Sequence, residues 1–181
     1  MSAYPLAKEW SLGYAKQASS DWVVRKVLLR ASGLPTCHQL HYLQMACEKL
    51  CKAHLCDKGS DPENLQKSHA YVGSVLPVIF RMRFSRKFRE LPDKSSLLRY
   101  VEARAREIDL LAPSVDDDGR RKDNCEYPWK DGAGNVVVPA KWQFTNQDFT
   151  GNRASILFFK LIEEAMEELN SQPPTRPEAG T

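Results

Sequence analysis

Apolar residues recur along most of the chain at steps of three and four, which is the period of an α-helix. A first helix is predicted over about residues 6–31, and Gly33 and Pro35 follow it. Its aromatic and alanine positions lie four apart, at Trp10, Tyr14, Ala18 and Trp22. The spacing indicates one long amphipathic helix at the start of the fold.

The second helix is predicted from Thr36 to about Cys56. Thr36 and Gln39 have the Thr-x-x-Gln spacing of a capping box, in which each side chain bonds a free amide of the first turn. Gly59 is expected to end the helix, since glycine adopts the left-handed conformation that closes many helices.

Three further helical patterns follow. The first covers about 65–80, where we expect Pro77 to break or kink the helix because proline lacks the amide hydrogen. The next covers 94–111, with Asp93 as its N-cap, and the last covers 153–170. Between the first two, phenylalanines at 80, 84 and 88 predict a further stripe that enters the core.

Residues 114–151 break the helical pattern and form an irregular insertion before the last helix. The segment DGAGN favours a short hairpin, and Pro139 limits its second strand. The chain is therefore expected to be all-α, a bundle of four to five helices in one domain over 1–170. Residues 171–181 are expected to be a disordered tail.

Three cysteines and a histidine crowd the second helix, in the stretch YLQMACEKLCKAHLC. On a helical wheel Cys47, Cys51 and His54 fall on the apolar stripe with Leu40, Leu43 and Leu50. Cys47 and His54 are also about 10 Å apart along the axis, too far for one zinc ion. We therefore expect core packing, with no metal and no cofactor. Cys125, close to three basic residues, is a weaker candidate for a reactive thiol.

Composition and targeting signals point to a protein of the cytoplasm with reduced thiols. The five cysteines are an odd number, 27% of residues are charged, and no apolar run is long enough to span a membrane. The N-terminal residues lack the pattern of a signal peptide.

Positive charge is concentrated in the middle of the chain. Residues 81–106 contain nine lysines and arginines against three acids, although the net charge of the whole chain is only +3. Such a segment indicates either a surface that binds phosphates or simply the solvated face of an amphipathic helix whose phenylalanines enter the core. The candidate nucleic-acid-binding residues are Arg81, Arg83, Arg86, Lys87, Arg89, Arg99, Arg104 and Arg106. In the insertion, Glu126, Tyr127 and Trp129 are candidates for binding a partner or stacking on bases, or they pack back on the bundle.

The second helix also resembles a known family. Gln44, Ala46, Glu48, Lys49, Lys52, Ala53 and Leu55 look like the signature helix of the HEPN family (higher eukaryotes and prokaryotes nucleotide-binding domain). Asp21-Trp22 before this helix and Ser68-His69 after it agree, so the resemblance covers about residues 8–80. It implies a helical bundle, often dimeric, in bacterial defence or toxin-antitoxin-type systems.

Many HEPN proteins are ribonucleases that carry an arginine followed, after four to six residues, by a histidine. The histidines here, at 38, 41, 54 and 69, do not fit that pattern. We therefore expect a non-catalytic module that binds RNA or a nucleotide, as a homodimer or in a larger complex. The alternatives are a divergent, metal-independent ribonuclease and a protein-interaction subunit.

Overall fold

The computed structural model describes residues 3–87, 94–116, 119–144 and 153–171. Within these residues the all-α prediction is confirmed, and the elements are as follows. The helices are α1 (Ala3–Leu28), α2 (Thr36–Asp57), α3 (Pro62–Gln66), α4 (Val72–Lys87), α5 (Lys94–Leu110) and α6 (Arg153–Asn170). The strands are β1 (Val115–Asp116), β2 (Gly119–Arg120), β3 (Trp129–Lys130) and β4 (Val136–Val137), and Pro139–Lys141 forms one 3-10 turn.

Helix α2 lies at the centre of the bundle and contacts α1, α4, α5 and α6. Its alanines and cysteines explain the close packing, since Ala46, Cys47, Cys51 and Ala53 are completely buried. The polar residues Gln44, Glu48 and Lys52 are buried on this helix as well. A helix that is buried on most of its circumference needs partners for its polar side chains.

The rest of the core comes from α4, α5 and α6. Phe80 of α4 stacks on Phe158 of α6 with ring centroids 5.3 Å apart, and Val101 and Ile108 of α5 are buried beside them. Phe80 therefore enters the core as predicted. The side chain of Phe84 and the whole of Phe88 lie outside the described residues.

The two ends of α2 differ from each other in how they are capped. The predicted capping box is wrong, because the helix starts at Thr36 with Pro35 as N-cap and without a side-chain cap. The predicted stop is confirmed. Gly59 has φ +89°, its N–H donates to the carbonyl of Cys56 (2.9 Å), and the N–H of Ser60 donates to that of Leu55 (3.0 Å). These two bonds form a Schellman motif.

Of the break or kink expected at Pro77, the break is wrong. Helix α4 continues through Pro77, and the interruption in the pattern lies earlier, at residues 67–71. The first amide groups of α4 are capped by a side chain of another helix. The carboxylate of Asp109 in α5 accepts from the N–H groups of Val72 (3.0 Å) and Gly73 (3.2 Å). An aspartate is well suited to this position, since the N-terminus of a helix carries partial positive charge.

The insertion contains the predicted hairpin and packs against the bundle. Strand β3 pairs antiparallel with β4 around a turn in which Asp131 accepts from the amides of Ala133 and Asn135. Strands β1 and β2 form a second antiparallel pair. The insertion also closes the end of α5, because Arg121 donates to the carbonyl of Asp109 (2.7 Å) and Cys125 N–H to that of Leu111 (3.1 Å).

Candidate functional site

Three exposed arginines lie on α4 and α5, and we call Arg81, Arg99 and Arg106 the arginine face. Arg99 and Arg106 are seven residues apart and so project from the same side of α5. Glu102 lies between them on the helix and pairs with Arg81 of α4. The face thus joins three guanidinium groups with one carboxylate.

The other carboxylates of α5 are used inside the fold. Asp109 caps α4, and Glu107 pairs with Arg104. Burial raises the pKa of Glu107, against the opposing charge of Arg104. Arg99 bonds only the hydroxyl of Ser96 within the described residues. Two of the three arginines are therefore left with no carboxylate partner in the described part of the chain.

Two of the predicted phosphate-binding residues, Arg83 and Arg104, are not part of the arginine face. Arg83 is only 8% exposed and its Nη2 donates to Oε2 of Glu168 on α6 at 2.6 Å. Arg104 is partly buried, pairs with Glu107 and lies over the ring of Tyr100 at 5.5 Å. Both were expected on one basic face with the exposed arginines. They instead form ion pairs with Glu168 and Glu107, because the two helices turn these positions toward their neighbours and away from the exposed arginines.

The remaining predicted residues lie beyond what the structure describes. The side chains of Arg86 and Lys87 and the whole of Arg89 are outside the described residues.

The predicted partner-binding residues are separated by burial. Trp129 is 4% exposed and packs edge-on against Trp142 with ring centroids 5.6 Å apart, so it cannot meet a partner directly. The alternation of a β-strand explains this, since β3 turns Trp129 inward and Lys130 outward. Tyr127 is exposed, and Glu126 lies 3.9 Å from Nδ1 of His41 on α2.

The burial of a polar cluster on α2 was not predicted from the sequence, although Glu48 and Lys52 have the i,i+4 spacing of an ion pair. The carboxylate of Glu48 accepts from Nε2 of Gln44 (2.8 Å) and from Nζ of Lys52 (2.6 Å). Nδ1 of His69, in the link before α4, lies 3.1 Å from the same carboxylate. The ring of Tyr71 lies 5.8 Å from the Lys52 ammonium. A carboxylate with several charged or polar donors is satisfied even in the interior.

A second ion pair ties α2 to α1. Nζ of Lys49 lies 2.5 Å from Oδ2 of Asp21, and Oδ1 of Asp21 accepts from Nε2 of Gln17 (3.1 Å). Among the polar residues that carry the resemblance to HEPN proteins, Lys49 contacts Asp21 of α1 and Glu48 contacts His69 in the link before α4. Their geometry gives them a structural role in joining α1, α2 and the link to α4.

The cysteines are packed in the interior of the fold. All five are free and buried. Burial raises the pKa of Cys47 to about 12, and that of Cys51 well above its usual value. Cys125 is not the reactive thiol that its basic neighbours suggested. Burial raises its pKa to about 12, and its S–H donates to the carbonyl of Leu111.

Metal and membrane features are absent from the described residues. No three histidine, cysteine, aspartate or glutamate side chains there are grouped to hold a metal ion. Within the same part of the chain, no helix combines the length and the apolar character needed to cross a bilayer.

Comparisons of the chain with models of protein families, with curated proteins and with solved structures find no match. The function must therefore be argued from the residues themselves.

Proposed function

We propose that this protein is a HEPN-like module that binds RNA or a nucleotide through the arginine face and does not cleave it. The observation that carries this proposal is the use of carboxylates on α5. Glu107 and Asp109 are engaged within the fold, so Arg99 and Arg106 are exposed without an acidic partner among the described residues. Guanidinium groups in such a position bind phosphate oxygens in a bidentate manner.

The wider setting of this proposal comes from the resemblance alone. HEPN-like modules imply a dimer or a larger complex within a bacterial defence or toxin-antitoxin-type system. Arg81 extends the proposed surface to α4, because Glu102 holds it beside Arg99 and Arg106. A single-stranded RNA crossing the two helices would release counterions at each phosphate it contacts.

Binding of a short single-stranded RNA, measured by fluorescence anisotropy at several salt concentrations, tests the proposal. We expect affinity to fall steeply as salt rises, and each lost phosphate contact to reduce the slope by about 0.7. The double variant Arg99→Ala/Arg106→Ala should bind weakly and with a smaller slope. Arg30→Ala is the control, because Arg30 is an exposed arginine in the turn that follows α1.

Two results would contradict the proposal. Binding that does not depend on salt, or that is unchanged in the double variant, would exclude the arginine face. RNA cleavage by a metal-free sample, lost in Arg104→Ala, would support the divergent ribonuclease instead. The same samples on a denaturing gel distinguish these outcomes.

A further inference from the structure

A cavity of about 360 Å³ lies at the end of the bundle where α1, α2, α4 and α6 meet. Its volume falls within the usual range for small-molecule sites. The cavity shares no residue with the arginine face, since Arg81, Arg99 and Arg106 do not line it. The charged or titratable groups that line it are Lys8, His54, Asp57, Lys58, Arg83 and Glu168.

Positive charge is in excess around this cavity. Three cations, Lys8, Lys58 and Arg83, face two carboxylates. Each carboxylate is already engaged by one of the cations. Nζ of Lys58 lies 3.0 Å from Asp57, and Nη2 of Arg83 lies 2.6 Å from Glu168. The sum leaves one positive charge, so the cavity favours an anion.

Arg83 gives the cavity a fixed positive group. Its side chain is nearly buried between α4 and α6, whereas its partner Glu168 is half exposed. Glu168 is therefore the partner of Arg83 that an anionic ligand entering from the solvent side would replace. Burial of a charge-assisted bond also strengthens it relative to one in solvent.

His54 adds an uncharged hydrogen-bond donor to the lining of the cavity. Its pKa is lowered by burial and by the positive charge of Lys58, which Asp57 opposes and Arg83 reinforces. The neutral imidazole carries one N–H that can donate to an anionic oxygen.

Apolar side chains complete the lining. Ile79, Ala165 and Leu169 are buried core residues that border the cavity, and Met82 lies beside them. A ligand that combines an anionic group with a small apolar body matches both parts of this surface.

We propose that the cavity binds a small phosphate monoester, with its phosphate against Arg83 and Lys58 and its apolar body against Ile79, Met82 and Leu169. A ligand with a carboxylate would gain little at Arg83, because it would replace the carboxylate of Glu168 by another group of the same charge. A phosphate monoester carries about −1.5 to −2 at pH 7 and gains from the exchange. The site does not depend on RNA binding at the arginine face.

Titration calorimetry at constant ionic strength tests the site, with phenyl phosphate as probe and with inorganic phosphate and phenol as its separate halves. We expect phenyl phosphate to bind more tightly than either half. Glu168→Gln should bind it about threefold or more tightly, because Arg83 loses its competing carboxylate. A merely structural ion pair between Arg83 and Glu168 would not produce that gain.

The opposite variant should weaken binding. Lys58→Met removes a half-exposed cation from the rim, and we expect about a two- to fivefold loss of affinity. Lys26→Met is the matched control. Lys26 is 48% exposed and Lys58 53%, and each pairs with one carboxylate, but Lys26 lies outside the cavity.

Absence of phenyl phosphate binding at millimolar concentrations would overturn the inference. So would unchanged affinity in both Lys58→Met and Glu168→Gln. If binding is lost in Arg99→Ala/Arg106→Ala instead, phosphate binds the arginine face, which refutes the cavity site and supports the proposed function. If RNA does not bind but phenyl phosphate binding is weakened by Lys58→Met, the proposed RNA-binding function is refuted and the cavity site is supported.

Discussion

Replacement of Glu48 by glutamine tests how much of the stability depends on the buried polar cluster of α2. The side chain of Glu48 is 3% exposed and that of Lys52 6%. Glutamine keeps the size of the side chain and one acceptor oxygen, but it removes the negative charge. The Lys52 ammonium would then be buried without a counter-charge, 2.6 Å from a neutral group.

The expected cost follows from that uncompensated charge. Removing one partner of a buried ion pair typically costs about 3–5 kcal/mol. Gln44 and His69 add to the cost, because each lies within 3.1 Å of the carboxylate. In the variant, one of the two acceptor oxygens is replaced by an NH₂ group, which cannot accept their hydrogen bonds. We expect Glu48→Gln to lower the free energy of unfolding by about 3 kcal/mol or more.

Urea unfolding at pH 7, followed by circular dichroism, measures this difference. Glu102→Gln is the control, since Glu102 pairs with Arg81 at the surface and its loss should cost about 1 kcal/mol or less. The double variant Glu48→Gln/Lys52→Met removes both charges. It should recover part of the loss, because an apolar side chain at position 52 needs no counter-charge.

A loss at Glu48→Gln no larger than that at Glu102→Gln would refute this reasoning. It would mean that Lys52 reaches water, or that the cluster contributes little to the folded state. A double variant that is less stable than Glu48→Gln would also contradict it, since Lys52 would then stabilise the fold by something other than its charge.

Two further predictions concern backbone conformation and pH. Gly59→Ala should destabilise the protein by about 1 kcal/mol, because Gly59 has φ +89°. Gly13→Ala, inside α1 with open space around it, should stabilise the protein by up to about 1 kcal/mol. Thermal midpoints of both variants equal to that of the wild type would contradict these predictions. For His54, the folded pKa lies below the unfolded 6.5, so its contribution to stability is complete above pH 6.5 and lost as the pH falls to the folded value. Urea unfolding should show a smaller loss between pH 7.5 and pH 5 for His54→Gln than for the wild type, and an equal loss would be inconsistent with the lowered pKa.

The hydrophobic pattern predicted the helices well where a helix has one apolar stripe. Helix α6 begins and ends where its period predicted, at Arg153 and Asn170. The end of α2 was also predictable, because glycine at position 59 fits a left-handed closing residue. These features depend on neighbours along the chain, which a sequence displays directly.

Errors arose where a residue is controlled by a distant partner. Helix α4 was predicted to start near residue 65, yet it starts at Val72, whose amide is capped by Asp109 of α5. Arg83 was predicted as part of a basic surface, yet Glu168 of α6 holds it in the bundle. Neither partner can be identified from spacing along the chain.

The sequence by itself determined the helical class, the position of the insertion and the burial of Cys47 and Cys51, because apolar periodicity records which side of a helix avoids water. Only the tertiary structure decided which charged side chains are buried. Gln44, Glu48 and Lys52 repeat every four residues and resemble a solvent-facing stripe, but they are inside the fold. A charge can leave water only when a partner compensates for its lost hydration, and such partners are brought together by packing.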